Sequence, residues 1–235
     1  MLTPSAIGTT TGGVSAQFNW LTEQLENAKY NGESVLLAMH VPFGNMLQNV
    51  TPVNYLISGY NDSFLAIIAN YTDTIIGMIG GHEHLDELKI LTYSGIPVNF
   101  LINVAAMVTY NGNAPSFDTV YFTNTSGNWV LTDYDAFNFL ATGPTLQKIY
   151  SFNSAYCGGL STGILNCFQQ ISTQNLVNTM NIYHTAGNPN YSLTIAYPGN
   201  IFTALPTYTS NGSGFSVAAI IAGIVAVIGV GALMI

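Results

Sequence analysis

The sequence predicts an α/β fold built around a parallel βαβ unit. Two apolar, strand-like runs occupy residues 34–40 and 74–84, and residues 41–73 between them are long enough for a crossover helix. A third apolar run at residues 97–106 indicates another buried strand. Apolar residues at helical spacing precede the first run, so we expect a helix that packs on the sheet.

The helices are predicted from stripes of apolar residues. The first covers residues 15–30, ends at Asn31 and Gly32, and buries Phe18, Leu21, Leu25 and Ala28. Inside the crossover, a second stripe contains Phe64, Ile67, Ile68 and Tyr71. Two later segments, residues 164–171 and 174–183, also have a helical pattern.

A hairpin is predicted after the third strand. Residues 118–122 and 129–137 have strand character, and they flank a turn at Thr125, Ser126 and Gly127. Asp133 and Asp135 are expected to be solvated positions of this hairpin.

Three of the four histidines follow the first two strands. His40 ends the first run, and His82 and His84 end the second. Because the carboxyl ends of parallel strands form one edge, where ligands bind in open α/β sheets, we expect these imidazoles to converge. Neutral imidazole is a common metal ligand, so the pattern predicts a metal site. His184 has no partner motif and is expected to be a satisfied core residue.

The composition excludes some partners and favours a location. The chain carries 3 lysines, no arginine and a formal net charge of −8, which argues against nucleic acid because phosphate contacts need basic residues. Six N-x-[ST] sequons and a charged fraction of 6% favour an extracellular or lumenal domain. The sequon asparagines are Asn49, Asn61, Asn70, Asn124, Asn190 and Asn211. Cys157 and Cys167 fit a local disulfide or two buried thiols.

Residues 215–235 are uncharged and almost entirely apolar, and a helix of this length spans a bilayer core. We therefore predict a C-terminal transmembrane helix that attaches the protein to a membrane, with a cleaved lipid-anchor signal as the alternative. Residues 1–13 lack the basic start and apolar core of a secretory signal, so delivery to an extracellular or lumenal compartment would need a segment outside this sequence.

The predicted organisation has five parts. Residues 1–13 are a flexible N-terminus, residues 14–148 the α/β domain, and residues 149–208 a small helical subdomain. Residues 209–214 form a polar linker before the transmembrane segment at residues 215–235.

Two motifs resemble those of a known family. MHVPFG at residues 39–44 and GGHEHLDEL at residues 80–88 resemble the last two metal motifs of calcineurin-like metallophosphoesterases, and most closely those of the acid sphingomyelinase-like branch. The helix at residues 17–28, the APS segment at 114–116 and the hairpin with its DYDAF segment occur in matching order. The resemblance covers about residues 14–150 and implies the C-terminal half of a metallophosphoesterase-type α/β sandwich.

The resemblance also implies a chemistry. His40 and His82 would bind one of two divalent metal ions, expected to be zinc, and His84 the other. In an extended segment, residues i and i+2 point to one side, so His82 and His84 can each reach a different ion of the pair. Asp86 or Glu87 would orient an imidazole. The substrate would be a phosphoester, with lipid phosphoesters included, attacked by hydroxide without a protein nucleophile.

The family's DxH, GDxxD and GNH[DE] motifs do not occur in residues 1–38. We therefore expect this chain to be a fragment that lacks the upstream ligands and is inactive alone. The alternative is a non-catalytic, membrane-tethered cell-surface protein that keeps the scaffold.

Overall fold

The computed structural model describes residues 11–49, 51, 53–56, 58–110, 112–139, 145–159, 163–191 and 193–206. Within these residues the chain forms a five-stranded mixed sheet and a three-stranded antiparallel sheet, with helices on both faces of the larger sheet. The elements in chain order are α1 (Thr11–Asn31), β1 (Val35–Ala38), α2 (Ser58–Ala69), β2 (Ile75–Gly80), β3 (Glu87–Tyr93), β4 (Ile96–Asn103), β5 (Ser116–Thr125), β6 (Asn128–Phe139), β7 (Leu146–Ser151), α3 (Phe152–Tyr156), α4 (Ile164–Phe168), α5 (Thr173–Tyr183), a 3₁₀ helix (Pro198–Ile201) and β8 (Phe202–Ala204).

The predicted βαβ unit is confirmed. β1 and β2 pair in parallel, α2 connects them, and β4 adds in parallel on the other side of β2. The strand order in the larger sheet is β1-β2-β4-β3-β8. The carboxyl ends of β1, β2 and β4 therefore lie at one edge, and β1 is the terminal strand among the described residues.

The structure adds two strands to this sheet, β3 and β8, that the sequence did not indicate. β3 runs antiparallel to β4 and parallel to β8. It begins with Glu87 and contains Lys89, and both side chains are fully buried. Charged residues are almost never buried without partners, so their presence concealed the strand from a hydrophobicity pattern.

The predicted hairpin is also confirmed. β5 and β6 pair around Ser126 and Gly127, whose φ values of 56° and 91° suit a tight hairpin turn. The expectation of a solvated Asp135 is wrong. This residue is buried and accepts hydrogen bonds from Tyr121 and Ser151, and Lys148 forms a salt bridge with it.

A third strand, β7, pairs with β6, and the boundary predicted at residue 148 falls inside it. The helices that follow pack into the same core as the sheet. Phe152, Phe168 and Met180 lie in a cluster with Ile90 and Phe100 of the large sheet. A disulfide joins Cys157, which caps α3, to Cys167 in α4.

The opposite face of the large sheet is covered by α1 and α2. The predicted apolar stripe of α1 is buried against β1 and β2, together with Phe64 and Ile68 of α2. α1 begins at Thr11, so residues 11–13 of the predicted flexible N-terminus are helical.

In the part of the chain that the structure describes, no helix is both long and apolar enough to cross a membrane. The predicted linker at residues 209–214 and transmembrane segment at residues 215–235 lie outside the described residues.

The structure distinguishes among the sequons. Asn61 is buried, and its side-chain oxygen accepts a hydrogen bond from the backbone of Gly44 at 2.9 Å, so it is no glycan acceptor in the folded chain. Asn70, Asn124 and Asn190 are exposed.

Candidate metal centre

Two of the three predicted metal ligands meet at the carboxyl edge of the sheet. His40 follows β1, His82 follows β2, and Nδ1 of His82 lies 3.3 Å from Nε2 of His40. The rings are nearly perpendicular, at 86°. The backbone N–H of Gly81 donates to the carbonyl of His40 at 3.0 Å and holds the two loops together. The edge of the sheet thus places one nitrogen of each ring at a common point.

The separation of these nitrogens fits a shared ligand. In a tetrahedral zinc site with Zn–N bonds of about 2.0–2.1 Å, two ligand nitrogens lie about 3.3 Å apart. Burial lowers the pKa of His82, and the neighbouring His40 lowers it further. Both effects favour the neutral imidazole, which is the form that binds metal.

His84 lies apart from this pair. Its ring packs edge-on against Tyr110, with the centroids 5.1 Å apart, and its Nδ1 is buried without a hydrogen-bond partner among the described residues. Among the described residues, no three His, Cys, Asp or Glu side chains come close enough to hold one metal ion. Leaving a buried polar atom unpaired costs about 1–3 kcal/mol. A metal ion bound to Nδ1 of His84 would remove this cost.

The segment that carries His82 and His84 is not extended, contrary to expectation. His82 has φ 77° and His84 has φ 64°, the left-handed region that residues with a Cβ seldom adopt. Such conformations cost about 1–3 kcal/mol each and cluster at functional sites, where the surrounding structure holds them. The turn directs the His82 ring to His40 and the His84 ring to Tyr110.

Asp86 and Glu87 do not orient the predicted ligands, which is a second correction. Asp86 accepts a hydrogen bond from the hydroxyl of Tyr150 at 2.6 Å. Glu87 accepts from Gln48 at 2.7 Å and contacts Nε2 of His184 at 2.9 Å. The two carboxylates therefore bind groups in the core beneath the edge.

The prediction that His184 is a satisfied core residue is confirmed. It is fully buried, and its second ring nitrogen lies 3.0 Å from the carbonyl oxygen of Leu193. Burial alone would lower the pKa of His184, but the hydrogen bond and charge of Glu87 outweigh it and raise this pKa.

Tyr55 connects the histidine pair to the buried charges. Its ring lies 6.4 Å from that of His82, its hydroxyl donates to Glu87 at 3.4 Å, and the ammonium group of Lys89 lies 4.8 Å from its ring centroid. Burial lowers the pKa of Lys89 to about 8, although Glu87 and Glu83 oppose this. No local pattern in the sequence indicates this network, because its members come from separate parts of the chain.

Comparisons with known proteins identify relatives of this chain. No protein-family model matches the chain. It is 38% identical over 96 residues to the cyclic GMP-AMP phosphodiesterase SMPDL3A of Homo sapiens, a match that covers 40% of this chain and 20% of the relative. It is 27% identical over 150 residues to sphingomyelin phosphodiesterase 2 of Caenorhabditis elegans, a match that covers 63% of this chain and 18% of the relative.

A further relative is sphingomyelin phosphodiesterase A of Dictyostelium discoideum, 26% identical over 125 residues, or 52% of this chain and 20% of that protein. The mixed α/β architecture fits a phosphoesterase-like fold. Within that class, the chain is related to the acid sphingomyelinase-like phosphodiesterases. The chain spans about a fifth of the length of the curated relatives it matches.

Proposed function

We propose that this chain supplies part of the catalytic centre of a metal-dependent phosphodiesterase. The observation that carries the proposal is the 3.3 Å approach of the His40 and His82 ring nitrogens at the carboxyl edge of a parallel sheet. The names of the relatives support the reaction class, since each is a phosphodiesterase.

In the proposed centre, His40 and His82 hold one divalent ion and His84 holds a second, with zinc the expected metal. The chemistry that a dinuclear centre supplies is polarisation of a phosphoryl oxygen and activation of water for in-line attack at phosphorus. Burial lowers the pKa of His82 and so favours its neutral, metal-binding form, and the backbone hydrogen bond from Gly81 to His40 holds the two loops together.

The remaining ligands must come from outside the described residues, which contain no complete three-ligand group. Among the described residues β1 is the outermost strand beside His40, so further strands can add at that edge and bring side chains to the same point. We therefore propose that the chain alone does not turn over substrate.

The proposed substrate is a phosphodiester. The relatives are named for sphingomyelin and for cyclic GMP-AMP, which share a phosphorus bonded through two ester oxygens. A lipid phosphodiester fits the proposed attachment to a membrane through residues 215–235. The low charge and the exposed sequons support an extracellular or lumenal location for the folded part.

A chimaera tests the proposal. The segment of SMPDL3A that this chain matches is replaced by the corresponding residues of this chain, and zinc-dependent hydrolysis of bis-p-nitrophenyl phosphate is measured. We expect turnover that is lost in a chimaera with His82→Ala and kept in one with Tyr30→Ala, a control residue that is 92% exposed. The isolated chain should bind zinc without hydrolysis.

A folded chimaera without activity, or one whose activity survives His82→Ala, would contradict the proposal. An inactive but folded chimaera, together with an isolated chain that does not bind zinc, would instead favour a non-catalytic protein that keeps only the scaffold.

A further inference from the structure

A second group of polar side chains lies on the inner face of the β5–β6 hairpin. Ser116 and Asp118 alternate along β5 and share one face, and Asn138 lies directly opposite Ser116 on β6. Ser116 and Asn138 are each only 3% exposed. The hairpin therefore directs three oxygen-bearing side chains toward the protein interior.

Asp86 reaches the same face from the loop before β3. Asp118, Ala136 and Tyr150 lie side by side across the three strands of the smaller sheet, and the hydroxyl of Tyr150 donates to Oδ2 of Asp86 at 2.6 Å. The residue between Asp118 and Tyr150 in this row is the small Ala136. Asp86 is itself 4% exposed.

Several oxygens in this group have no partner. Ser116 Oγ, Asp118 Oδ2 and Asn138 Oδ1 are buried and form no hydrogen bond with any described residue. Buried polar atoms in proteins are almost always paired, and both the carboxylate and the amide oxygen are acceptors. A donor or a cation on this face of the hairpin would satisfy these atoms.

Among the described residues, no lysine contacts this group. The sequence has no arginine, and its lysines are all engaged elsewhere: Lys29 with Asn70, Lys89 with Asn45, and Lys148 with Asp135 on the outer face of the hairpin. The other titratable groups close enough to act on the two carboxyls are Tyr134, Tyr150, Tyr156, Glu87 and His184. The imidazole of His184 is already bonded to Glu87 and Leu193.

Burial raises the pKa of Asp118 to about 7. A cation beside a buried carboxyl favours the ionised form of that group.

We propose that Asp86, Asp118, Ser116 and Asn138 form a binding site for a calcium ion. All the donors are oxygens, two of them carboxylates and one an amide carbonyl, which is the ligand set of hard cations rather than of zinc. Calcium accepts irregular geometry, whereas magnesium keeps several waters that a buried site does not easily hold. The ion would tie the β5–β6 hairpin to the loop that follows His84.

Calcium binding to the purified, chelator-treated chain is the test, measured by calorimetry and by terbium luminescence. Tyr134, Tyr150 and Tyr156 are buried around Asp86, so terbium in the site should be excited through tyrosine and displaced by calcium. We expect Asp118→Asn to weaken calcium binding at least about tenfold, a loss comparable to that of a metal-site residue. Asp62→Asn, which removes an exposed carboxylate, should bind as the wild type does.

Thermal unfolding distinguishes whether Asp118 binds calcium or is needed only for packing. In calcium-free buffer, Asp118→Asn should melt at or above the wild-type temperature because it removes one of two facing carboxylates. Calcium should raise the melting temperature of the wild type and not that of the variant. Should Asp118→Asn not fold, Ser116→Ala serves in its place, with weaker calcium binding expected.

The absence of saturable calcium binding, or equal binding by the wild type and Asp118→Asn, would overturn the proposal. Binding lost in His82→Ala but kept in Asp118→Asn would place the ion at the histidines and overturn it as well.

Discussion

His82 and His84 combine an imidazole side chain with a left-handed backbone, at φ 77° and 64°. A glycine adopts this conformation without steric cost, so a sequence selected only for stability would favour glycine at both positions. Retaining two imidazoles on a strained turn indicates that their rings serve a purpose other than packing.

A pair of variants at His82 measures this strain. His82→Gly and His82→Ala both remove the ring, but only alanine keeps the Cβ that the left-handed backbone disfavours. We expect His82→Gly to be more stable than His82→Ala by about 1 kcal/mol in urea unfolding. Equal stabilities would mean that the turn relaxes when the imidazole is removed.

The pH dependence of stability reports on the Glu87 and His184 pair. The pKa of His184 is raised in the folded state, so its stabilising contribution is fully present below the unfolded pKa of about 6.5 and is lost as pH rises through the folded pKa. The difference in unfolding free energy between the wild type and His184→Gln should therefore be larger at about pH 5.5 than at about pH 8. A difference that is constant with pH would show that the pair is not charged.

At the scale of secondary-structure elements, two glycines with open space around the missing Cβ offer a matched comparison. Gly127 lies in the β5–β6 turn at φ 91°, whereas Gly59 lies in α2 without a positive φ, and neither Cβ would meet another atom within 4 Å. Gly127→Ala should lower the free energy of unfolding by about 1 kcal/mol, and Gly59→Ala should raise it by about 0.5–1 kcal/mol. Chemical denaturation measures both, and a stabilising Gly127→Ala would contradict the turn geometry.

The disulfide between Cys157 and Cys167 joins two short helices that are marginal by themselves. Their sequence separation is 10, and closing a loop of this length restricts the unfolded chain by about 3 kcal/mol. Replacing both cysteines with serine should lower the unfolding free energy by about that amount. A reductant should destabilise the wild type and leave the double variant unchanged.

Elements with a clear apolar pattern were predictable from the sequence. β1, β2 and β4 are short apolar runs, and α1 shows its stripe at helical spacing. β3 was missed because the burial of Glu87 depends on His184, which is 97 residues distant. Long-range partners of this kind leave no local signal.

At the scale of the whole molecule, the meeting of His40 and His82 was predictable because the topology of parallel strands determines where their ends lie. The separate position of His84 was not predictable from the sequence, because it depends on the backbone conformation of one turn. Proposing the calcium site at Asp118 required knowledge of the hairpin register and of where the lysines lie. Only the folded chain reveals both.

The fold separates the two proposed metal sites, one at the edge of the large sheet and one beneath the hairpin. Since they share no side chain, zinc and calcium should stabilise the chain independently, and the two effects should add. At a concentration about 100 times its Kd, each metal ion should raise the free energy of unfolding by about 2.7 kcal/mol. Thermal unfolding with either ion, both, or neither measures this in the wild type, with His82→Ala losing only the zinc effect and Asp118→Asn only the calcium effect. A non-additive result in the wild type would mean that the loop of residues 82–86 couples the two sites, so that filling one rearranges the other.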